Sequence, residues 1–101
     1  MTSAAEIFAK GGLARKSVEI EALGVSVDIV EMTLAQRGEM MALVEAGKPA
    51  EVGPFAVASC VPVMSEKTPE DIVSALSPAV IEQIASAVFD LSGLGEGDSK
   101  N

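Results

Sequence analysis

The most constraining feature of the chain is one stretch of period-two patterning at residues 17–32, SVEIEALGVSVDIVEM. Val18, Ile20 and Ala22 fall on one side of an extended chain, with Glu19 and Glu21 on the other. After Gly24, Val25, Val27 and Ile29 alternate with Ser26, Asp28 and Val30. Two β-branched runs joined around a glycine read as a hairpin with one apolar face. Gly24 takes the left-handed position of a short turn, a conformation costly for residues that carry a Cβ. An isolated hairpin is marginal in water, so its apolar face must lie on helices or on a second copy. The expected class is α+β, mainly α: a hairpin, then about three to four helices, with flexible termini.

The helices announce themselves by their starts. Thr33 with Gln36 three residues on matches a capping box, in which each side chain satisfies a backbone amide of the other. Leu34, Met41 and Val44 follow in one line at helical spacing, with Met40 and Leu43 beside it, and Gly47 is placed to close the end. Gly38 inside this helix costs about 1 kcal/mol relative to Ala, which calls for either a compensating close contact or a locally weak helix. Thr68-Pro69-Glu70-Asp71 supplies a second start, with Ile72, Val73 and Leu76 as its apolar side. Ser77-Pro78 is a third, opening a helix at an angle to the previous one. Its stripe is Val80, Ile81, Ile84, Ala85, Val88 and Leu91, and Gly93 ends it.

Three segments carry weaker patterns. Residues 1–16 read as a flexible arm in which Ala4–Ala9 form at most a short helix ended by Gly11-Gly12, with Phe8 a candidate to dock on the domain. Lys48–Pro54 reads as a linker, and Phe55–Val61 as either a strand or a buried helical segment, since periodicity cannot separate the two over so short a run. Residues 95–101, GEGDSKN, have the composition of a disordered tail.

Composition narrows the function. There is no His in the 101 residues, so Ser-His-Asp, Cys-His and His-zinc sites are out. Cys60 is alone, in an apolar run with no cationic neighbour, and reads as a buried structural thiol. No enzyme activity, cofactor or metal is expected. Arg37 is expected to pair with a nearby acid, as a surface pair or a buried hub. Residues 1–16 carry Lys10, Arg15 and Lys16 against Glu6, so a total of −8 leaves −10 on residues 17–101. That sign repels nucleic-acid phosphates and anionic lipid. The longest nearly unbroken apolar run, Pro54–Met64, is far short of the ~20 residues of a membrane helix. The first residues lack a signal peptide's basic start, and a single Cys suits a reducing cytoplasm. Half the residues are apolar (49%) yet only 3% are aromatic, a surplus that reads either as a partner surface or as the Ala-inflated count of an ordinary helical protein.

The order of segments carries a resemblance. An alternating strand pair, VEIEALGVSVDIVEM, leads straight into TLAQRGEMMALVEAG, then PFAVASCVPV, then TPEDIVSALSPAVIEQIASAVFDLSGL. Over residues 17–94 this resembles the tail assembly chaperones of long-tailed, siphovirus-like bacteriophages; the arm at 1–16 has no counterpart there. The resemblance implies a mainly helical, self-associating domain that binds the tape measure protein. It would keep that long apolar chain soluble while tail tube protein polymerises around it, in the host bacterial cytoplasm, and then leave the finished virion. A frameshifted longer product is common in that family. Either the Leu34/Met40/Met41/Leu43/Val44 stripe or the Val80/Ile84/Val88/Leu91 stripe is the candidate client surface, the other completing the core. On the first choice, changing Met41 and Val44 to Asp abolishes client binding in a folded protein. The rival readings are a small acidic phage-encoded inhibitor of a host defence or regulatory protein, and a structural tail subunit.

Overall fold

A computed structural model describes residues 2–94 of the chain, and the tail reading at 95–101 lies outside the described residues. The class is α+β, mainly α. Helix α1 (Ala4–Lys10) precedes a hairpin of β1 (Arg15–Ile20) and β2 (Val25–Val30). Four helices follow: α2 (Leu34–Glu45), α3 (Val52–Cys60), α4 (Pro69–Ala75) and α5 (Pro78–Leu91). Short 3-10 turns at Pro49–Glu51 and Pro62–Met64 flank α3.

The hairpin pairs Ile20 with Val25, Val18 with Val27 and Lys16 with Ile29 on one face. Glu19, Ser26, Ser17 and Asp28 occupy the other, so the alternation sorts as the sequence predicts. Gly24 sits at φ +70°, as the turn requires. Three details differ from the sequence reading. β1 starts at Arg15, inside the segment assigned to the arm, because Glu31 N–H bonds the carbonyl of Ala14 and draws the chain into the ladder. Ala22 lies exposed in the turn, its N–H donating to Gln83 Oε1 at 3.0 Å. Val25, next to that turn, is exposed as well, since the helical layer does not extend over it.

Every helix start read from the sequence is present with its cap. Thr33 and Gln36 satisfy each other's amides at 2.9 and 3.0 Å. Thr68 and Asp71 do the same at 3.0 and 3.2 Å. The Thr68 backbone N–H donating to Asp71 holds that carboxyl below its ordinary range. The cap's contribution is therefore present above the ordinary carboxylate pKa and is lost as pH falls through the lowered one. Both α2 and α5 end in a Schellman turn. Gly47 (φ +77°) and Gly93 (φ +76°) take the left-handed position, with Lys48 N–H bonding Leu43 O and Leu94 N–H bonding Phe89 O.

The supposed linker at 48–54 is structured. Val52, Gly53 and Pro54 form the first turn of α3, where a missing N–H breaks no helical bond. Pro54, Ala56, Val57 and Cys60 are buried, and α3 packs on α5, α4 and α2. Residues 55–60 are thus helix, in the middle of the core. Ile20, Ile29 and Met32 of the hairpin segment close the core from one side, with Ile84 and Val88 of α5 beneath them.

Helix α2 sits less firmly. It contains no fully buried residue, and Met40 is its side chain packed on the core. Polar contacts hold its first turn and the chain entering it: Gln36 Oε1 accepts from the Cys60 thiol at 3.7 Å, and, ahead of the helix, Met32 N–H donates to the buried Ser92 hydroxyl at 2.9 Å. A Cβ added at Gly38 would meet nothing within 4 Å, so no close approach offsets the glycine. Gly38→Ala should therefore stabilise the protein by about 0.5–1 kcal/mol, read as a higher midpoint in urea denaturation.

Candidate functional site

The α5 stripe proposed as a client surface is core. Val80, Ile84 and Val88 are buried and Leu91 is half-buried against them, so none is available to a partner without opening the fold. The α2 stripe divides. Met40 and Leu43 are half-buried, while Leu34 (86% exposed), Met41 and Val44 line an outward ridge. A ridge touches a partner along one line only.

The concave apolar surface lies elsewhere, on the far flank of α5. The apolar residues of α5 cover an arc of roughly 180° at 100° per residue, well beyond the ~100° a single packing face uses. Val80, Ile84 and Val88 fill the inner part of that arc. Ile81, Ala85 and Phe89, spaced i, i+4, i+8, extend it to one side and form the wall of an open groove of about 1030 Å³. Val73 of α4 and Leu76, the residue after that helix, also line it, together with Pro49, Ala50, Gly53 and Pro54.

Local chemistry explains the shape. Leu76, extended at φ −101°, ψ 147°, separates α4 from α5 and splays their axes, and Ser77 and Pro78 restart the chain. Val73, read as part of the inward side of α4, is instead 60% exposed on the groove wall. At the other end the Schellman turn at Gly93 returns Leu94 toward Phe89, and both line the groove. Among the described residues, the charged ones lining it are Glu82 and Asp90, both acidic. The volume is at the top of the ~300–1,000 Å³ range of small-molecule sites, and the site is open rather than enclosed. An apolar trough with an acidic rim is the kind of surface that takes the apolar face of an amphipathic helix.

The remaining candidates resolve simply. Cys60 is buried, and burial pushes its thiol up to about 11, which leaves it protonated and unreactive at neutral pH. Among the described residues Arg37 makes a carbonyl hydrogen bond rather than the expected ion pair. Its Nη2 donates to the carbonyl of Ser92, at the end of α5 where the helix presents unpaired carbonyls. Phe8 is not docked; it is 83% exposed. Among the described residues no group of three or more His, Cys, Asp or Glu is placed to hold a metal, and no helix is long and apolar enough to cross a membrane.

The groove residues were not singled out from sequence. The available signal was the width of the α5 arc, with Ile81 and Phe89 lying outside the Val80/Ile84/Val88 line. In comparisons with known proteins, no family model, curated protein or solved structure matches the chain.

Proposed function

We propose that this chain is an assembly chaperone that holds an amphipathic helical client in the groove between α4 and α5. The single observation behind the reading is that open apolar trough, whose charged lining among the described residues is Glu82 and Asp90. Buried apolar area supplies the affinity in such a contact, and acidic rim charges select clients flanked by Lys or Arg and speed their capture. The net charge of −8 keeps the complex from clumping through its other apolar patches.

The client we propose is the tape measure protein of a long-tailed bacteriophage, in keeping with the chaperones that residues 17–94 resemble. The chain would act in the host bacterial cytoplasm, as a homo-oligomer, and would hand the client to tail tube protein and stay out of the virion. Co-expression tests this directly. Tape measure protein expressed with the chain is expected in the soluble fraction and co-purifying with it, and in the pellet without it. A tape measure protein equally insoluble in both cases overturns the reading. Recovery of the chain as an abundant component of purified virions would support the structural-subunit alternative instead.

A further inference from the structure

The hairpin is a sheet of two strands, and its β1 edge is open. Glu31 N–H bonds Ala14 O at 2.9 Å, which fixes the phase of the ladder. In an antiparallel pair only alternate residues exchange backbone bonds, so with this register Lys16, Val18 and Ile20 bond to β2. The N–H and C=O groups of Arg15, Ser17 and Glu19 therefore point away from β2, along the outer edge of β1. Among the described residues no turn, loop or cap bond from the backbone reaches them. The side chains of the same three residues are exposed on the polar face. On the other strand the Pro62–Met64 turn packs against β2. Residues 2–14 are exposed throughout, so the N-terminal segment does not seal the β1 edge.

An uncovered edge is a template for another strand, and the charges along it decide which strand it accepts. β1 reads Arg15-Lys16-Ser17-Val18-Glu19-Ile20, basic at its start and acidic toward its end. We infer that β1 of one copy pairs antiparallel with β1 of a second copy about a two-fold axis at Ser17, joining two hairpins into a four-stranded sheet. Ser17 then faces Ser17 of the second copy, and on either side of it Arg15 faces Glu19 of the second copy. These are the residues whose backbone groups point outward, so the hydrogen-bonded pairs and the charge pairs coincide. Residues directly opposite on one face of an antiparallel pair have their side chains in contact, and opposite charges there attract. An in-register parallel arrangement would set Arg15 beside Arg15 and Glu19 beside Glu19. The helical layer leaves space on this side: an open hollow lies between Glu19 and Ile20 of β1 and Gln83, Ser86 and Ala87 of α5, with no β2 residue in its lining among the described residues. The midlines of the joined hairpins lie two strand spacings apart, about 10 Å, a distance at which two helices pack side by side, so one α5 fits under each hairpin. The contact is isologous and closes as a dimer. It also supplies the further strands that a lone two-stranded sheet lacks in water.

The dimer gives the homo-oligomer of the proposed function an interface, but it rests on neither the client nor the groove, since among the described residues no β1 residue lines that groove. Sedimentation of the purified full chain should show a mass that rises with concentration toward twice that of one chain. Arg15→Glu and Glu19→Arg, both at exposed positions, should each weaken association about tenfold or more, because each turns both charge pairs into like pairs. Mixing the two variant chains should restore a one-to-one complex, because every charge across the axis again faces its opposite. Amide hydrogen exchange reads the edge itself. Exchange at Arg15, Ser17 and Glu19 should slow as protein concentration rises, while Lys16 and Val18, bonded to β2 in every copy, stay protected throughout. A parent chain monomeric at millimolar concentration, an Arg15→Glu chain that associates like the parent, a mixture that forms no complex, or exchange at the three edge amides that ignores concentration overturns the inference. Client capture is read separately: a monomeric parent that solubilises tape measure protein removes the dimer and keeps the chaperone reading, and a dimer that fails to do so has the reverse effect.

Discussion

The Val57→Asp chain should be unfolded at 25 °C. Val57 is 0% exposed, at the middle of α3, the helix on which α2, α4 and α5 all pack. The substitution removes about 1.5–3 kcal/mol of apolar burial. It also places a carboxylate among Ile, Val and Ala side chains, a penalty of several kcal/mol for an unpaired buried charge. A chain of 101 residues has roughly 5–15 kcal/mol to lose, and α2 is held too lightly to compensate. Far-ultraviolet circular dichroism should show loss of most helical signal. Ile84→Ala, which removes volume without adding charge, should cost about 2–5 kcal/mol and remain folded. A folded Val57→Asp chain would mean that α3 is not the centre of the core.

The second large effect falls on binding with the fold intact. Val73→Lys/Leu94→Lys should lower client affinity by about 100-fold while leaving the urea midpoint nearly unchanged. Both side chains lie on the surface of the groove, and surface substitutions are usually within about 0.5 kcal/mol. In the complex, the two new ammonium groups either desolvate against the client's apolar stripe or hold it away, and they cancel the charges of Glu82 and Asp90. About 1.4 kcal/mol per tenfold makes a hundredfold loss equal to roughly 2.8 kcal/mol, the scale of one or two interface anchors. Met41→Asp/Val44→Asp is the matched control. It places two charges on the α2 ridge and should leave the protein folded with client affinity within about threefold of the parent, the range left by surface substitutions. If this control loses the client and the groove variant keeps it, the site is the α2 ridge.

How far the sequence reaches depends on how local each signal is. Thr33, Thr68 and Ser77 mark helix starts correctly because a cap is a bond between a side chain and an amide two or three residues away. The hairpin is legible for a similar reason, since one face is covered and the other wet. Residues 52–60 are not, because a helix surrounded by others is apolar on every side and shows no period. Pro54 misleads there: it reads as a breaker, yet in a first turn it costs no hydrogen bond. The groove is least legible of all. Ile81 and Phe89 are ordinary helical apolar residues until the angle between α4 and α5 leaves them only half-buried, and that angle arises at the two extended residues Leu76 and Ser77. Ser3 and Glu6 form a capping box that follows the same local rule.

The groove itself is the central claim, and methyl NMR of the full chain tests it at the residues named. The chain, labelled at Ile, Leu, Val and Met methyls, is titrated with a helical peptide from the apolar repeats of a tape measure protein. The account predicts saturable shifts concentrated at Val73, Leu76, Ile81 and Leu94, with Leu34, Met41 and Val44 unmoved. Shifts confined to Leu34, Met41 and Val44, or none anywhere at saturating peptide, would contradict it.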